Sequence, residues 1–160
     1  MQQHPARARA TVLLGASLAC AATALVGAPA AASAEPTPTR TIVATVTQGT
    51  RPTGAPHAGD HWVNGYDLTT DQAAVGTGYS TCDVITVQPR VAISCSYTLR
   101  FAAGDPNAGD LLVAETHTTA ANDWTTMGAM IGGTGNVTGL IGQIEVHRAG
   151  AAISFVGIPH

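Results

Sequence analysis

The sequence GYSTCDVITVQPRVAISCSYTLRF occupies residues 78–101 and predicts two β-strands that meet at Gln88-Pro89. Over 91–101, apolar and aromatic residues alternate with small and polar ones, and a two-residue period indicates a strand with one buried face. If the turn is centred between Gln88 and Pro89, Cys82 lies directly across from Cys95 on that face. The stretch therefore predicts a hairpin with one cysteine on each arm.

The first residues predict a secretory signal peptide rather than part of the fold. Arg7 and Arg9 precede a long uncharged, alanine-rich run, which ends in the small-residue sequence Ala32-Ser33-Ala34. A retained membrane anchor is the alternative, because the run is long enough to span a bilayer. The alanine content, Pro29 and the cleavage site favour removal of residues 1–34. We therefore expect a secreted, extracellular protein cleaved near Ala34, with no membrane contact afterwards.

The remaining residues, 35–160, suit one domain with a core of its own. They predict a short flexible lead-in over 35–40 and a single domain over 41–160. This part contains five arginines, no lysine and ten acidic residues, a formal charge of −5. A basic patch for nucleic acid or anionic lipid is not expected from such a composition. Schiff-base chemistry is excluded because it needs a lysine.

The two cysteines that remain after removal of Cys20 predict a disulfide. An even number of cysteines in an oxidising compartment, placed across a hairpin, favours a Cys82–Cys95 bond. The alternative is a reactive thiol in a pocket.

Short β-rich segments separated by glycine and proline turns continue along the chain, with no convincing helix between them. Eight sequential strands predict an all-β up-and-down antiparallel barrel or a sandwich. The predicted strands are 40–47, 60–68, 73–87, 91–101, 110–117, 125–131, 139–147 and 151–158.

From Gly59 to Ile158 the chain resembles the allene oxide cyclase-like barrels, a superfamily that includes the plant dirigent proteins. The most specific part of the resemblance is IGGTGNVTGLIGQIEV at 131–146. Other landmarks in the family's order are Gly59-Asp60, Gly76-Thr77, Cys82, Tyr97–Phe101, Gly104-Asp105 and 109–114.

The resemblance implies an eight-stranded antiparallel barrel, often dimeric or trimeric, with an apolar pocket. In this superfamily such a pocket confines a reactive lipid, phenolic or polyketide-like molecule while it cyclises or isomerises. Confinement restricts conformers and excludes water, so few catalytic groups and no cofactor are expected.

Site residues transfer from the cyclases position by position. Aligning the proline that follows their first strand with Pro52 puts their carboxylate position at Val43 and their amide position at Thr45. Their pocket cysteine matches Cys82, and a further pocket amide falls within 64–66. The resulting pocket-lining candidates are Val43, Thr45, Trp62, Tyr66, Cys82, Tyr97 and Phe101. No catalytic residue is assigned, because neither Val43 nor Thr45 replaces a carboxylate.

The histidines are not at metal-binding spacings, so no metal site is expected. The pairs worth considering for acid–base work are His61 with Asp60 and His147 with Glu145, against a polar outer face as the simpler interpretation. The sequence therefore predicts a secreted barrel that binds a hydrophobic small molecule and steers its cyclisation or isomerisation. A non-catalytic binding or scaffold barrel, filled by its own side chains, is the alternative.

Overall fold

The structure is a computed structural model, which describes residues 38–71, 73–119 and 121–159. These residues form eight strands and one short 3₁₀ turn. The predicted signal peptide lies outside the described residues, as do residues 35–37 of the predicted lead-in. The strands are β1 Thr39–Gly49, β2 His61–Thr70, β3 Ala73–Thr86, β4 Ala92–Phe101, β5 Gly109–His117, β6 Asp123–Gly133, β7 Ile141–Ala149 and β8 Ala152–Pro159.

Each strand pairs antiparallel with the next, and β8 pairs with β1 to close the barrel. The prediction of an eight-stranded antiparallel up-and-down barrel is confirmed, and every predicted strand end lies within two residues of the observed one. Thr39, predicted as lead-in, instead begins β1, and Arg40, where the predicted lead-in and the predicted first strand overlap, also belongs to β1; both pair with β8. No helix among the described residues is long and apolar enough to cross a membrane.

The central hairpin has the register that the sequence predicts. Cys82 pairs with Cys95 and Ser80 with Tyr97, and the same spacing holds from Gly76 to Val84; a register shift between Val84 and Thr86 pairs Thr86 with Ala92. Cys95 and Tyr97 are both buried, whereas Ser96 between them is exposed. One face of β4 therefore points into the barrel, as expected for a half-buried strand.

Side chains fill the middle of the barrel. The Tyr97 ring packs edge-on against Phe155, with 5.1 Å between ring centroids and 76° between planes, and lies 6.4 Å from the Tyr66 ring. Apolar residues of the other strands surround these rings, among them Ile42, Leu68, Leu99, Leu111, Ile144 and Ile153. Small barrels are commonly filled in this way.

The glycine-rich segment after β6 makes a tight bend at one end of the barrel. Gly135 begins the 3₁₀ turn Gly135–Val137 with a φ of +61°, and a Cβ there would overlap the carbonyl oxygen of Ala108. Only glycine combines this backbone with so close an approach. The GGTG sequence is therefore a structural bend, as its lack of a lysine and a following helix predicts.

Candidate functional site

One end of the barrel is closed by an ion pair. Arg40 at the start of β1 binds both carboxylate oxygens of Asp105, with 2.9 Å between Nη1 and Oδ2, and both side chains are more than nine-tenths buried. The same guanidinium lies 5.1 Å from the centre of the Phe101 ring. Asn107 donates a hydrogen bond to the carbonyl oxygen of Pro159 at 2.7 Å. We call this the sealed end.

The other end opens to solvent. It carries the connections β1–β2, β3–β4, β5–β6 and β7–β8, and a wide depression of about 540 Å³ lies between them. The volume is within the range of small-molecule sites, about 300–1,000 Å³. We call this the open end. The depression is lined by Val46, Gly49, Arg51, Asn64, Asn122, Arg148, Gly150 and Ala151.

Two arginines face each other across the depression. Arg51, which follows β1, lies over the Trp62 ring at 5.5 Å from its centre, and its Nη1 is 3.5 Å from Oδ1 of Asn122. Arg148 on β7 donates from Nε to the carbonyl oxygen of Gly150 at 3.1 Å. Burial, and next the positive charge of Arg148, lower the pKa of Arg51. The two guanidinium groups are therefore close enough to repel each other.

Below the depression lies a short chain of hydrogen bonds. Asn64 lines the depression and donates from Nδ2 to Oγ of Ser80 at 3.3 Å, and Ser80 is 2.7 Å from the hydroxyl oxygen of Tyr66. Asn64, Ser80 and Tyr66 are all buried. Burial raises the pKa of Tyr66, so its phenol stays protonated in neutral solution and can donate a hydrogen bond.

A second buried polar group joins β4 and β5. The Tyr97 hydroxyl donates to Oε1 of Glu115 at 3.1 Å, and Nδ1 of His117 lies 3.1 and 3.0 Å from the two oxygens of the same carboxyl. The His117 ring stacks on Trp124, with 4.1 Å between centroids. Burial, followed by the charge of Glu115, raises the pKa of Tyr97 well above its usual value. A phenol, a carboxyl and an imidazole are thus joined inside the barrel.

The disulfide between Cys82 and Cys95 is formed and lies next to this group, with 4.1 Å between its Cα atoms. Ligand atoms of Cys95, Glu115 and His117 lie within 4.8 Å of one another. Zinc is held by thiolates, and the sulfur of Cys95 is bonded to Cys82 instead. The cluster therefore offers two metal-ligating side chains in the disulfide form.

Comparison with solved structures finds proteins of the same barrel architecture. Pyocyanin demethylase matches with a TM-score of 0.60 at 21% sequence identity, covering 73% of this chain and 97% of that protein. The pterocarpan synthase dirigent protein GePTS1 matches with a TM-score of 0.55 at 18% identity, covering 76% of this chain and 88% of that protein. This chain has the same barrel fold as these two proteins. No protein-family model and no curated protein sequence matches it.

Five of the pocket candidates lie inside the barrel. Trp62, Tyr66, Cys82, Tyr97 and Phe101 are all buried. Their contact with a ligand stays a prediction. Four of them lie in the middle or towards the open end, whereas Phe101 packs at the sealed end under a guanidinium group.

Val43 and Thr45, the two pocket candidates on β1, do not lie inside the barrel. Val43 is half-buried and Thr45 is exposed, whereas Ile42 and Ala44 are completely buried. Since neighbouring side chains on a strand point to opposite faces, Val43 and Thr45 lie on the outer side of the barrel. Their placement in the pocket by alignment to Pro52 is wrong by one residue.

The acid–base pairs considered from the sequence are also placed outside. His61 does not pair with Asp60; its Nδ1 lies 2.8 Å from Oδ1 of Asp83, and both side chains are more than half exposed. Glu145 and His147 are exposed on β7. These histidines therefore belong to the polar outer face.

Sequence reasoning missed Glu115 and His117, although a signal was present. Leu111 and Val113 begin an alternation on β5 that continues through both polar residues, and all four are buried. An acid and an imidazole on the inner face of a predicted strand indicate a buried polar site. Arg51 and Arg148 had no comparable sequence signal, because they come from distant parts of the chain.

Proposed function

We propose that this protein is a secreted barrel that binds a small organic molecule at its open end and steers its cyclisation or isomerisation. The observation that carries the proposal is the difference between the two ends. The depression of about 540 Å³ lies at one end, and its floor residue Asn64 connects it to hydrogen-bonding groups in the interior. A ligand seated there would meet the apolar side chains of Val46 and Ala151 next to several polar and charged side chains.

The chemistry available near this depression is hydrogen bonding and proton transfer. Tyr66 and Tyr97 are protonated donors, because burial raises the pKa of both phenols. Fixed donors stabilise negative charge that develops on a ligand oxygen. Glu115 and His117 supply a carboxyl and an imidazole, which are the side chains most often used in general acid–base catalysis, and the His117 side chain is 8% exposed. Holding the ligand in one conformer would supply the rest of the rate enhancement.

The structural neighbours support a small-molecule role for this fold. Their names describe a demethylase of pyocyanin and a dirigent synthase of a pterocarpan. Both names denote proteins that act on small molecules. We extend that role to this chain, with a lipid, phenolic or polyketide-like ligand as the expected class.

Secretion after cleavage near Ala34 and assembly as a homodimer or homotrimer belong to the same proposal. Exposed apolar side chains on neighbouring strands support assembly. Ile131 on β6 is 55% exposed and Ile141, its partner on β7, is 75% exposed. A pair of this kind is more easily accommodated in an interface than in water.

A non-catalytic binding barrel is the second candidate, and the filled interior favours it. Tyr97 and Phe101 occupy the interior, so the ligand of this candidate would stay at the open end and leave unchanged. Met127 on β6 does not contribute to this filling, because it is 56% exposed on the outer face. The two candidates differ in whether the bound molecule is converted.

Intrinsic fluorescence tests the location of the site, because both tryptophans of the chain lie near the open end. Trp62 is the second residue of β2 and Trp124 the second residue of β6. Native mass spectrometry of the protein, purified from the secretions of its own host, would identify a ligand that copurifies. We expect that ligand, or a fatty acid or phenol of similar size, to change the tryptophan emission in a saturable way.

Asn64→Ala should weaken this binding about three- to tenfold through loss of a hydrogen bond. Asn136→Ala, at an exposed position of the sealed end, is the matched control and should leave the affinity unchanged. Product analysis by chromatography then separates conversion from simple binding. The proposal would be wrong if no molecule copurifies with the protein and if neither fatty acids nor phenols change the tryptophan emission.

A further inference from the structure

The indole nitrogen of Trp62 is a buried hydrogen-bond donor without a partner in the protein. Trp62 is the second residue of β2, and its side chain is buried on the inner face of that strand. Among the described residues, none accepts a hydrogen bond from its Nε1. An indole N–H can only donate, and leaving a buried donor unpaired is costly. The acceptor is therefore expected from outside the chain, as solvent or as a ligand.

Trp62 also lines a cavity of about 80 Å³ at the open end. This cavity lies beside the β1–β2 loop, residues 50–60, and its apolar walls include Pro52, Pro56 and Ile93. It adjoins the depression, because Arg51 lines both. One water molecule needs about 10–15 Å³ of such space, so the cavity holds about five to eight water-sized groups. It therefore has the size of one six-membered ring with a short substituent.

The loop that borders the cavity is fastened at both ends. The main-chain nitrogen of Thr50 donates to the carbonyl oxygen of Val63 at 3.0 Å. At the other end, Gly59 donates to the carbonyl oxygen of Val84 at 2.8 Å, and Val84 donates to that of Asp60 at 2.9 Å. These bonds hold the loop against β2 and β3. The cavity is therefore formed before any ligand binds.

Side chains of both charges line the cavity. Arg51 contributes a positive charge and Asp60 a negative one, so the formal charge of the lining is zero. The Asp60 carboxylate also accepts a hydrogen bond from the main-chain nitrogen of His57 at 2.7 Å. A charged ligand group would lose its hydration here without a net opposite charge to replace it. An uncharged acceptor fits the lining better.

The geometry points to a site for a ring compound with a carbonyl group: we propose that Nε1 of Trp62 donates a hydrogen bond to the carbonyl oxygen while the ring packs against Pro56 and Ile93. Water could accept the same bond, but each water needs two to four polar partners, and the proline and isoleucine side chains offer none. The rest of the ligand would extend past Arg51 into the depression. This inference rests on the proposed function, because it names the ligand class of the same open end.

Two probes of nearly identical shape test the hydrogen bond. Acetophenone has the carbonyl group, and α-methylstyrene has a methylene group in its place. Protein labelled with ¹⁵N shows two indole N–H signals, because the chain contains two tryptophans, and triple-resonance assignment identifies that of Trp62. We expect acetophenone to move the Trp62 indole proton downfield in a saturable way, as hydrogen bonding does, and α-methylstyrene to cause a smaller shift.

Trp62→Phe keeps an aromatic ring and removes the donor. The ratio of the acetophenone affinity to the α-methylstyrene affinity should fall about three- to tenfold in this variant, which is the effect of one hydrogen bond. Comparing the ratio between the two proteins cancels the different hydration of the two probes. Tyr79→Phe is the matched control on the outer face and should keep the ratio.

Thermal unfolding establishes that each variant is folded. If Trp62→Phe does not fold, the indole titration of the unmodified protein carries the test. Benzoate, a probe of similar size with a negative charge, should bind more weakly than acetophenone. Tighter binding of benzoate would refute the preference for an uncharged acceptor.

Failure of this inference is distinguishable from failure of the proposed function. An unchanged affinity ratio in Trp62→Phe, or an unmoved Trp62 indole proton at saturating acetophenone, would refute the carbonyl site. The proposed function would then stand if a copurified molecule, a fatty acid or a phenol still changes the tryptophan emission. If no organic molecule binds at the open end, both fail.

Discussion

Removing the hydroxyl of Tyr97 tests whether the buried group of Tyr97, Glu115 and His117 stabilises the fold. Tyr97→Phe keeps the ring that packs at 5.1 Å against Phe155 and deletes the oxygen that donates to Glu115 at 3.1 Å. The lost free energy should therefore be that of one hydrogen bond in a buried site. Because His117 still contacts both oxygens of the carboxyl, the group is not left without a partner.

A hydrogen bond of this kind contributes about 1–3 kcal/mol, with the upper end reached when the acceptor is charged. For a domain of this size, one kcal/mol corresponds to about 4 °C in the midpoint of thermal unfolding, so we expect a decrease of about 4–12 °C. Circular dichroism in a thermal scan and urea unfolding at 25 °C would measure the change independently.

Tyr79→Phe is the control, because Tyr79 is 48% exposed and its hydroxyl lies on the outside of the barrel. Its substitution should change stability by less than about 0.5 kcal/mol, as is usual at surface positions. If Tyr97→Phe were as mild as Tyr79→Phe, the hydroxyl would not be donating to Glu115. A cycle with Glu115→Gln sharpens the test, since two partners in one hydrogen bond should show a non-additive loss.

Three further outcomes follow from the fold. Reduction of the Cys82–Cys95 disulfide, which spans 13 positions, should lower stability by about 3 kcal/mol in urea unfolding; equal stability with and without reductant would contradict this. Because burial raises the pKa of Tyr66 and Tyr97, stability should be full below about pH 10 and should be lost as pH rises through their folded pKa; absorbance at 295 nm should show their ionisation together with unfolding. Gly76→Ala should destabilise by more than about 1 kcal/mol, because its Cβ would overlap a carbonyl oxygen of β4, and a neutral effect in thermal unfolding would show that the strands can separate there.

The central hairpin could be predicted in register because two local signals agree. The turn residues Gln88 and Pro89 locate its centre, and the alternation over 91–101 defines the inner face. Together they place Cys82 opposite Cys95, which is where the structure has them. The predicted register holds from Gly76 to Val84, although a shift between Val84 and Thr86 pairs Thr86 with Ala92 next to the turn.

The first strand shows how one irregularity defeats the same reasoning. β1 has a shift in register between Val46 and Gln48, so one residue of the strand has no partner on β2. An extra residue of this kind reverses which side chains face inward. Counting back from Pro52 crosses that position, and the alignment therefore assigned Val43 and Thr45 to the inner face. A bulge has no sequence signal as clear as a turn.

The arginine pair could not be predicted because it depends on closure of the barrel. Arg51 follows β1 and Arg148 lies near the end of β7, with β8 between these two strands. Their proximity requires both the pairing of β8 with β1 and the pairing of β7 with β8. The composition indicated that positively charged side chains are few, but it could not indicate that Arg51 and Arg148 line the same depression.

The position of the buried carboxyl argues for a different reaction geometry from that of the cyclases. Their carboxylate belongs to the first strand, where the inner positions here are the apolar Ile42 and Ala44. The buried carboxyl of this barrel, Glu115, comes from β5, which is four strands away from β1 on either side of an eight-stranded ring. The buried carboxyl of this barrel therefore lies on the opposite wall from the carboxylate position of the cyclases. The cysteine that matches the cyclase pocket thiol is joined to Cys95 in this protein. The cyclase carboxylate and the cyclase pocket thiol therefore have no free counterpart at the matching positions of this barrel.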